Sequence, residues 1–141
     1  MADSIAAPPN PAIAIAASAL RAQQQRMRVI AENIANAESI GTTPGSDPYR
    51  RRLPTFEPKQ IQPGVTGVTM TGVREDETPF KTTYDPGNPA ADAKGYVKTP
   101  NVDGLIEAMD MREASRAYEA NLNVIETARN MQSRTLDIIK K

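Results

Sequence analysis

Apolar residues fall into two helical stripes at the ends of the chain, and the stretch between them follows a different rule. From Pro11 onward, Ile13, Ala16, Leu20, Gln23, Met27, Ile30, Ile34 and Ala37 recur at alternating spacings of three and four, which predicts a helix with a heptad seam. Asn10 suits the N-cap and Pro11 the first helical position, while Gly41 marks the expected stop. The same spacing returns in Ala114, Ala117, Asn121, Val124, Ala128, Met131, Thr135 and Ile138, with Tyr118, Ile125 and Leu136 widening the face. That helix is expected to start near Asn101 or Asp103 and to run close to the end of the sequence. At about 1.5 Å per residue the two helices would be roughly 40 Å and 55 Å long.

Seven of the eight glycines and nine of the twelve prolines lie between Gly41 and Pro100, so the helix-breaking residues are concentrated in the middle and both ends are free to be helical. Here VTGVTMTGV, Val65 to Val73, reads as a strand, and TPFKTTY, Thr78 to Tyr84, as a second, with the acidic REDE between them as the connecting turn. YDPGNPAADAKGY, Tyr84 to Tyr96, has turn chemistry throughout. Five of the six aromatics, Tyr49, Phe56, Phe80, Tyr84 and Tyr96, fall in this middle region, which predicts a small aromatic cluster.

The fold class expected is therefore mainly α with a small β-containing middle: residues 1–10 a disordered tail, 11–40 and 101–141 a coiled-coil-like pair of terminal helices, and 41–100 a Pro/Gly-rich β and loop region. A two-helix pair of this length leaves much apolar surface uncovered, because each seam with its flanks is wider than one partner helix buries. The usual reading of helix-spaced apolar residues is an internal core, but a middle so rich in glycine and proline offers little to cover two long seams. Assembly with other chains then weighs at least as much as an intramolecular bundle.

Composition removes most chemistry. With 141 residues the chain holds one domain. It has no cysteine and no histidine, hence no disulfide, no thiolate and no imidazole base or metal ligand, and an enzyme is not expected. Neither are cofactors. Lys plus Arg balances Asp plus Glu at 17 each, and no third of the chain departs from neutrality by more than one charge, so nucleic acid is not an expected partner. Arg50, Arg51 and Arg52 read instead as a solvated or partner-facing cluster. Asp76, Asp85 and Asp92 do not follow the alternating oxygen-ligand pattern of a calcium loop. No apolar run approaches the roughly 18 to 20 residues that cross a bilayer, so direct membrane insertion is not expected. Only Asp3 is charged ahead of PAIAIAASAL and no basic residue precedes it, unlike a cleaved signal peptide.

Three stretches carry a resemblance: RMRVIAENIANAESIGTTPGSDPYRRR (Arg26 to Arg52), DETPFKTTYDPGNPAADAKGYVKTPNVD (Asp76 to Asp103) and MDMREASRAYEANLNVIETARNMQSRTLDII (Met109 to Ile139). The first and last resemble the terminal signatures of the bacterial flagellar rod proteins, and the central block is similar to that of the proximal rod members. Asn88 and Asp103 stand where that pattern commonly has histidine and asparagine.

The resemblance implies a structural subunit of the flagellar basal body, exported through the flagellar type III apparatus without a cleaved signal. It implies polymerisation in the periplasm, with copies of itself and other rod proteins as partners. The residues expected at the subunit interface are Ile13, Leu20, Met27, Ile30 and Ile34 on the first helix and Tyr118, Val124, Ile125, Met131 and Ile138 on the last. To these are added Asn33, Asn36 and Asn121, as amides that set register between helices, and Arg50, Arg51 and Arg52, as cations open to a neighbour's carboxylates. The alternative is an adaptor that binds one partner helix and does not polymerise.

Overall fold

A computed structural model describes residues 10–140 of the chain. Two helices, α1 (Pro11–Ala35) and α2 (Gly104–Ile139), bracket two small antiparallel sheets: β1 (Arg52–Gln62) with β2 (Val65–Glu75), and β3 (Lys81–Tyr84) with β4 (Tyr96–Thr99). The expected tail, residues 1–10, lies outside the described residues but for Asn10.

Both helix starts follow from their caps. The Asn10 side chain accepts the Ala12 N–H at 2.9 Å with proline next in line, and the Asp103 side chain accepts the Leu105 N–H at 2.9 Å. The end of α1 differs from expectation. It stops at Ala35, with Asn36 as C-cap, six residues short of Gly41. The side chain of Asn36 bonds back to the Glu32 carbonyl at 2.8 Å, and Ser39 closes a turn onto the Asn36 carbonyl. Polar side chains that compete for backbone partners end a helix as well as a glycine does. This early stop lets the chain reverse and bring Tyr49 to Arg52 back against Asn33.

The helices run antiparallel. Along their length Asn33 meets Glu107, Arg26 meets Glu113, and Met27 lies against Ser115. Asn10 and Ala12 face Ala128 to Leu136 across an open groove. One end of the pair, here the base, holds the end of α1 and the start of α2; the other, the tip, holds the start of α1 and the end of α2.

The hairpin predicted between residues 65–73 and 78–84 does not form. β2 pairs instead with β1, through a turn at Pro63 and Gly64 with Gly64 at φ 74°, and β3 pairs with β4. The reason lies in two prolines, Pro54 and Pro58, that make β1 read poorly as a strand. They stand opposite Val73 and Val68 at positions whose backbone groups point out of the ladder: the Val68 N–H goes to Ser18 Oγ at 3.2 Å and, two residues before Pro54, the Arg52 N–H goes to Asn33 Oδ1 at 2.9 Å. A missing N–H on that side breaks no β1–β2 bond.

The hairpin lies along α1, fastened by Asn33 to the edge of β1 and by Ser18 to that of β2. At the Ser18 end a Cβ on Gly67 would run into Ser18 Oγ and the Ile61 side chain, so a larger residue would require both to shift. Ser18, Ala22, Val29 and Asn33 form the buried stripe of α1 beneath the hairpin, beside the seam that faces α2. The expected aromatic cluster is split: Tyr84 and Tyr96 meet edge-on at 5.3 Å, while Phe80 lies under Arg50 and Tyr49 under Arg52.

Candidate assembly surface

The interior of the base is polar. Asn33 and Glu107, 1% or less exposed, are among the most deeply buried side chains. Asn33 donates to the Arg52 carbonyl at 2.9 Å and to Glu107 Oε2 at 3.2 Å, while its Oδ1 accepts the Arg52 N–H at 2.9 Å and the Tyr49 hydroxyl at 2.8 Å. Arg51 donates through Nε to Glu107 Oε1, and its two terminal nitrogens reach Asp76 at 3.3 Å and Asp110 at 3.2 Å. Asn101 accepts the Arg51 N–H at 2.7 Å and turns its amide nitrogen to Asp76 and Thr78. One guanidinium and two amides thereby tie α1, α2, β1 and the segment after β2 into a single joint.

The charges in the joint stabilise one another. Burial alone would lower the Arg51 pKa, but bonds and charge from Glu107 and Asp76 outweigh it and hold the guanidinium above its usual value. Asp76 is held below the usual carboxylate range, chiefly by the Thr78 N–H, against a smaller opposing effect of burial, with help from the Thr78 hydroxyl and Arg51. Burial pushes the Tyr49 hydroxyl up, opposed by Arg52 and reinforced by Glu32 and Glu107. In the β3–β4 connection Asp92 is likewise lowered, first by the Tyr96 N–H and further by those of Lys94 and Gly95, although burial pulls the other way. Its carboxylate closes a turn, and no cluster suited to a metal ion occurs among the described residues.

These bonds place several of the expected interface residues against their own chain. The Asn33 amide serves its own chain and is closed to neighbouring helices. Asn36 and Asn121 spend their amide nitrogens on carbonyls of their own helices, Glu32 at 2.8 Å and Ala117 at 2.7 Å, where the expectation had them setting register across a seam. Arg50, half-buried, donates to the carbonyls of Asp76 and Thr78 with its guanidinium over the Phe80 ring, and Arg51, mostly enclosed in the joint, directs its guanidinium to carboxylates of its own chain. Arg52, which reaches Glu32 at 3.6 Å, keeps about half of its side chain in water.

The apolar candidates divide by position. Ile30 is buried, and Ile13, Leu20, Met27, Tyr118 and Ile125 are half-buried. Ile34, Val124, Met131 and Ile138 are exposed, Met131 at 64% and Ile138 at 75%. Every described residue of α2 from Met131 onward is exposed, because α2 has 36 residues against 25 in α1 and outruns it by roughly 16 Å. A groove of about 630 Å³ opens where α1 begins, walled by Ala12, Ala128, Met131 and Leu136. Leu105, Ile106 and Met109 turn outward at the base. Gln23, the polar member of the α1 seam, keeps its Oε1 buried without a hydrogen-bond partner among the described residues.

Glu107 was not among the candidates. It stands seven residues before Ala114, so extending the α2 seam back by one heptad would have placed a carboxylate at an inward position, and that was the available signal.

The two stretches that make this helix pair match family models. Residues 13–39 match one described as flagella basal body rod protein, and residues 93–138 one described as flagellar basal body rod FlgEFG protein C-terminal. The class that fold and sequence define is thus that of flagellar basal-body rod proteins.

Likeness over nearly the full length narrows it. The chain is 49% identical over 136 residues to flagellar basal-body rod protein FlgC of Agrobacterium fabrum (strain C58), covering 94% of this chain and 96% of that protein. It is 46% identical over 125 residues to FlgC of Escherichia coli O6:H1, covering 88% and 92%. With FlgC of Borreliella burgdorferi it shares 38% identity over 146 aligned positions, covering 91% and 95%. The chain belongs to the FlgC family of flagellar basal-body rod proteins and is a structural subunit of the basal body, not an enzyme.

Proposed function

We propose that this subunit polymerises through the exposed faces of its terminal helices, the tip of the pair being completed as a coiled-coil-like bundle by helices of neighbouring subunits. The observation that carries this reading is the run of exposed apolar side chains Val124, Met131, Leu136, Ile138 and Ile139 at the tip, beside an apolar groove. A second apolar group, Ile34, Leu105 and Met109, lies at the base. Two different faces at opposite ends are what an open-ended helical polymer requires, since a heterologous contact that does not close grows a filament. Contiguous exposed apolar surface of this kind marks an association site.

In this reading the partners are copies of the chain and other rod proteins, and the rod carries torque across the periplasm. The joint at the base suits that load: cross-linked by charge-assisted bonds, it holds the hairpin and both helices at fixed angles. Export goes through the flagellar type III apparatus without a cleaved signal, with no part for nucleic acid or membrane insertion. Among the described residues no helix is long and apolar enough to cross a membrane.

The test is Met131→Asp with Ile138→Asp in the full chain. The pair is expected to leave the melting of the purified protein unchanged while removing it from isolated basal bodies and abolishing swimming. Normal incorporation and swimming would refute the tip as a contact.

A further inference from the structure

The base and the tip carry the same kind of seam, yet only one of them encloses a charge. Glu107, Ala114, Asn121, Ala128 and Thr135 occupy one heptad position along α2; of these Glu107 and Ala114 are wholly withdrawn from water, and Glu107 alone carries a charge. Its two carboxylate oxygens are held by groups from two other parts of the chain, the guanidinium of Arg51 ahead of β1 and the amide of Asn33 on α1. A carboxylate buried with one partner removed is strongly unfavourable, whereas replacing a buried ion pair by apolar residues of similar volume is often neutral or stabilising. The pair is therefore a poor device for gaining stability. It is an effective one for refusing wrong neighbours, because an apolar seam offered by another helix would cover Glu107 without a cation or an amide.

We propose that the Glu107–Arg51 pair is a specificity lock. It admits the first half of α2 only to a surface that presents both Arg51 and Asn33, and so reserves that half for the completed joint. Bare helix seams of other subunits are turned away from it, and the distal half of α2, from Val124 on, is left as the part open to neighbours. The chain needs such a device because the α1 seam of a copy whose helices have not yet paired, Ile13, Leu20, Met27 and Ile30, is apolar and would otherwise suit either half of α2. The inference rests on the assembly reading above but is measured separately from it.

The experiment follows self-association of the purified full chain by sedimentation velocity over a concentration series, with circular dichroism to confirm helix content. Arg51→Met combined with Glu107→Leu is expected to keep native helix content and to self-associate at a concentration at least about tenfold lower than the native chain, the shift that roughly 1.4 kcal/mol of added affinity produces. Glu107→Gln, which keeps an amide-sized polar group but removes the charge, is expected to fall between the two. A merely structural pair would change melting and leave the association threshold where it was. If the double variant loses its helix content, Glu107→Gln decides alone. A folded variant that associates at the native threshold overturns the lock. If rod incorporation survives Met131→Asp while the threshold still shifts, the lock stands and the tip contact falls.

Discussion

At the base of the helix pair the buried groups are a carboxylate, a guanidinium and two amides, all satisfied within the chain; at the tip the side chains are methionine, leucine and isoleucine, and they face water. In a protein complete by itself the arrangement would be reversed, with apolar groups inside and charges outside. Charged groups can be enclosed here because every partner comes from the same polypeptide at fixed geometry, so the monomer finishes the interior of this end alone. Among the described residues the apolar tip has no such partner. What closes at the base is specific and internal, and what stays open at the tip is general and outward-facing.

The contrast breaks most visibly at Arg51. Arg51→Ala leaves Glu107 buried and unpaired and is expected to lower stability by about 3–5 kcal/mol, read from denaturant melts of the full chain. Next is Asn33→Ala, which strands the Tyr49 hydroxyl, the Arg52 backbone and one Glu107 oxygen; it is expected to cost about 1–3 kcal/mol by the same measurement. Gln23→Leu should act in the opposite direction. Removing a buried acceptor that has no partner is expected to raise stability by about 1 kcal/mol, and a loss there would mean that Gln23 has a use the monomer does not reveal. Smallest in the isolated chain is Met131→Asp, within about 0.5 kcal/mol, because the residue is mostly in water already.

Acid sharpens the same comparison. The Asp76 carboxyl titrates lower when folded than its ordinary value near pH 4, so its contribution is fully present above about pH 4 and is lost as pH falls through the lower, folded value. The denaturant midpoint of the native chain is expected to fall over that window. Asp76→Asn is expected to start lower and fall less steeply, and an unchanged slope would remove Asp76 from the joint.

The helices were legible because their signals are local. A cap, a heptad repeat and the exclusion of glycine and proline are each written within a few neighbouring residues, and α2 with its Asp103 cap follows from them. β1 was not legible: Pro54 and Pro58 count against a strand in any local reading, and they are tolerated because their missing N–H groups point out of the β1–β2 ladder. The end of α1 was misjudged because Gly41 is the stronger local stop, while Asn36 ends the helix by bonding back to Glu32. The joint was hidden for a related reason. Asn33, Arg51, Asn101 and Glu107 are spread over 75 residues of sequence and acquire meaning only when the chain folds back at Asn36, so amides and arginines that read as outward-facing prove to be the interior.

The central claim is that neighbours, and not the chain itself, complete the tip. Backbone hydrogen exchange along α2 tests it most directly, compared between the dilute chain and isolated basal bodies. The expected result is slow exchange over residues 107–118 in both samples, with residues 124–138 exchanging fast in the dilute chain and slowly in the rod. Equal protection of both segments in the dilute chain, or a tip that exchanges as fast in the rod as outside it, would contradict the claim.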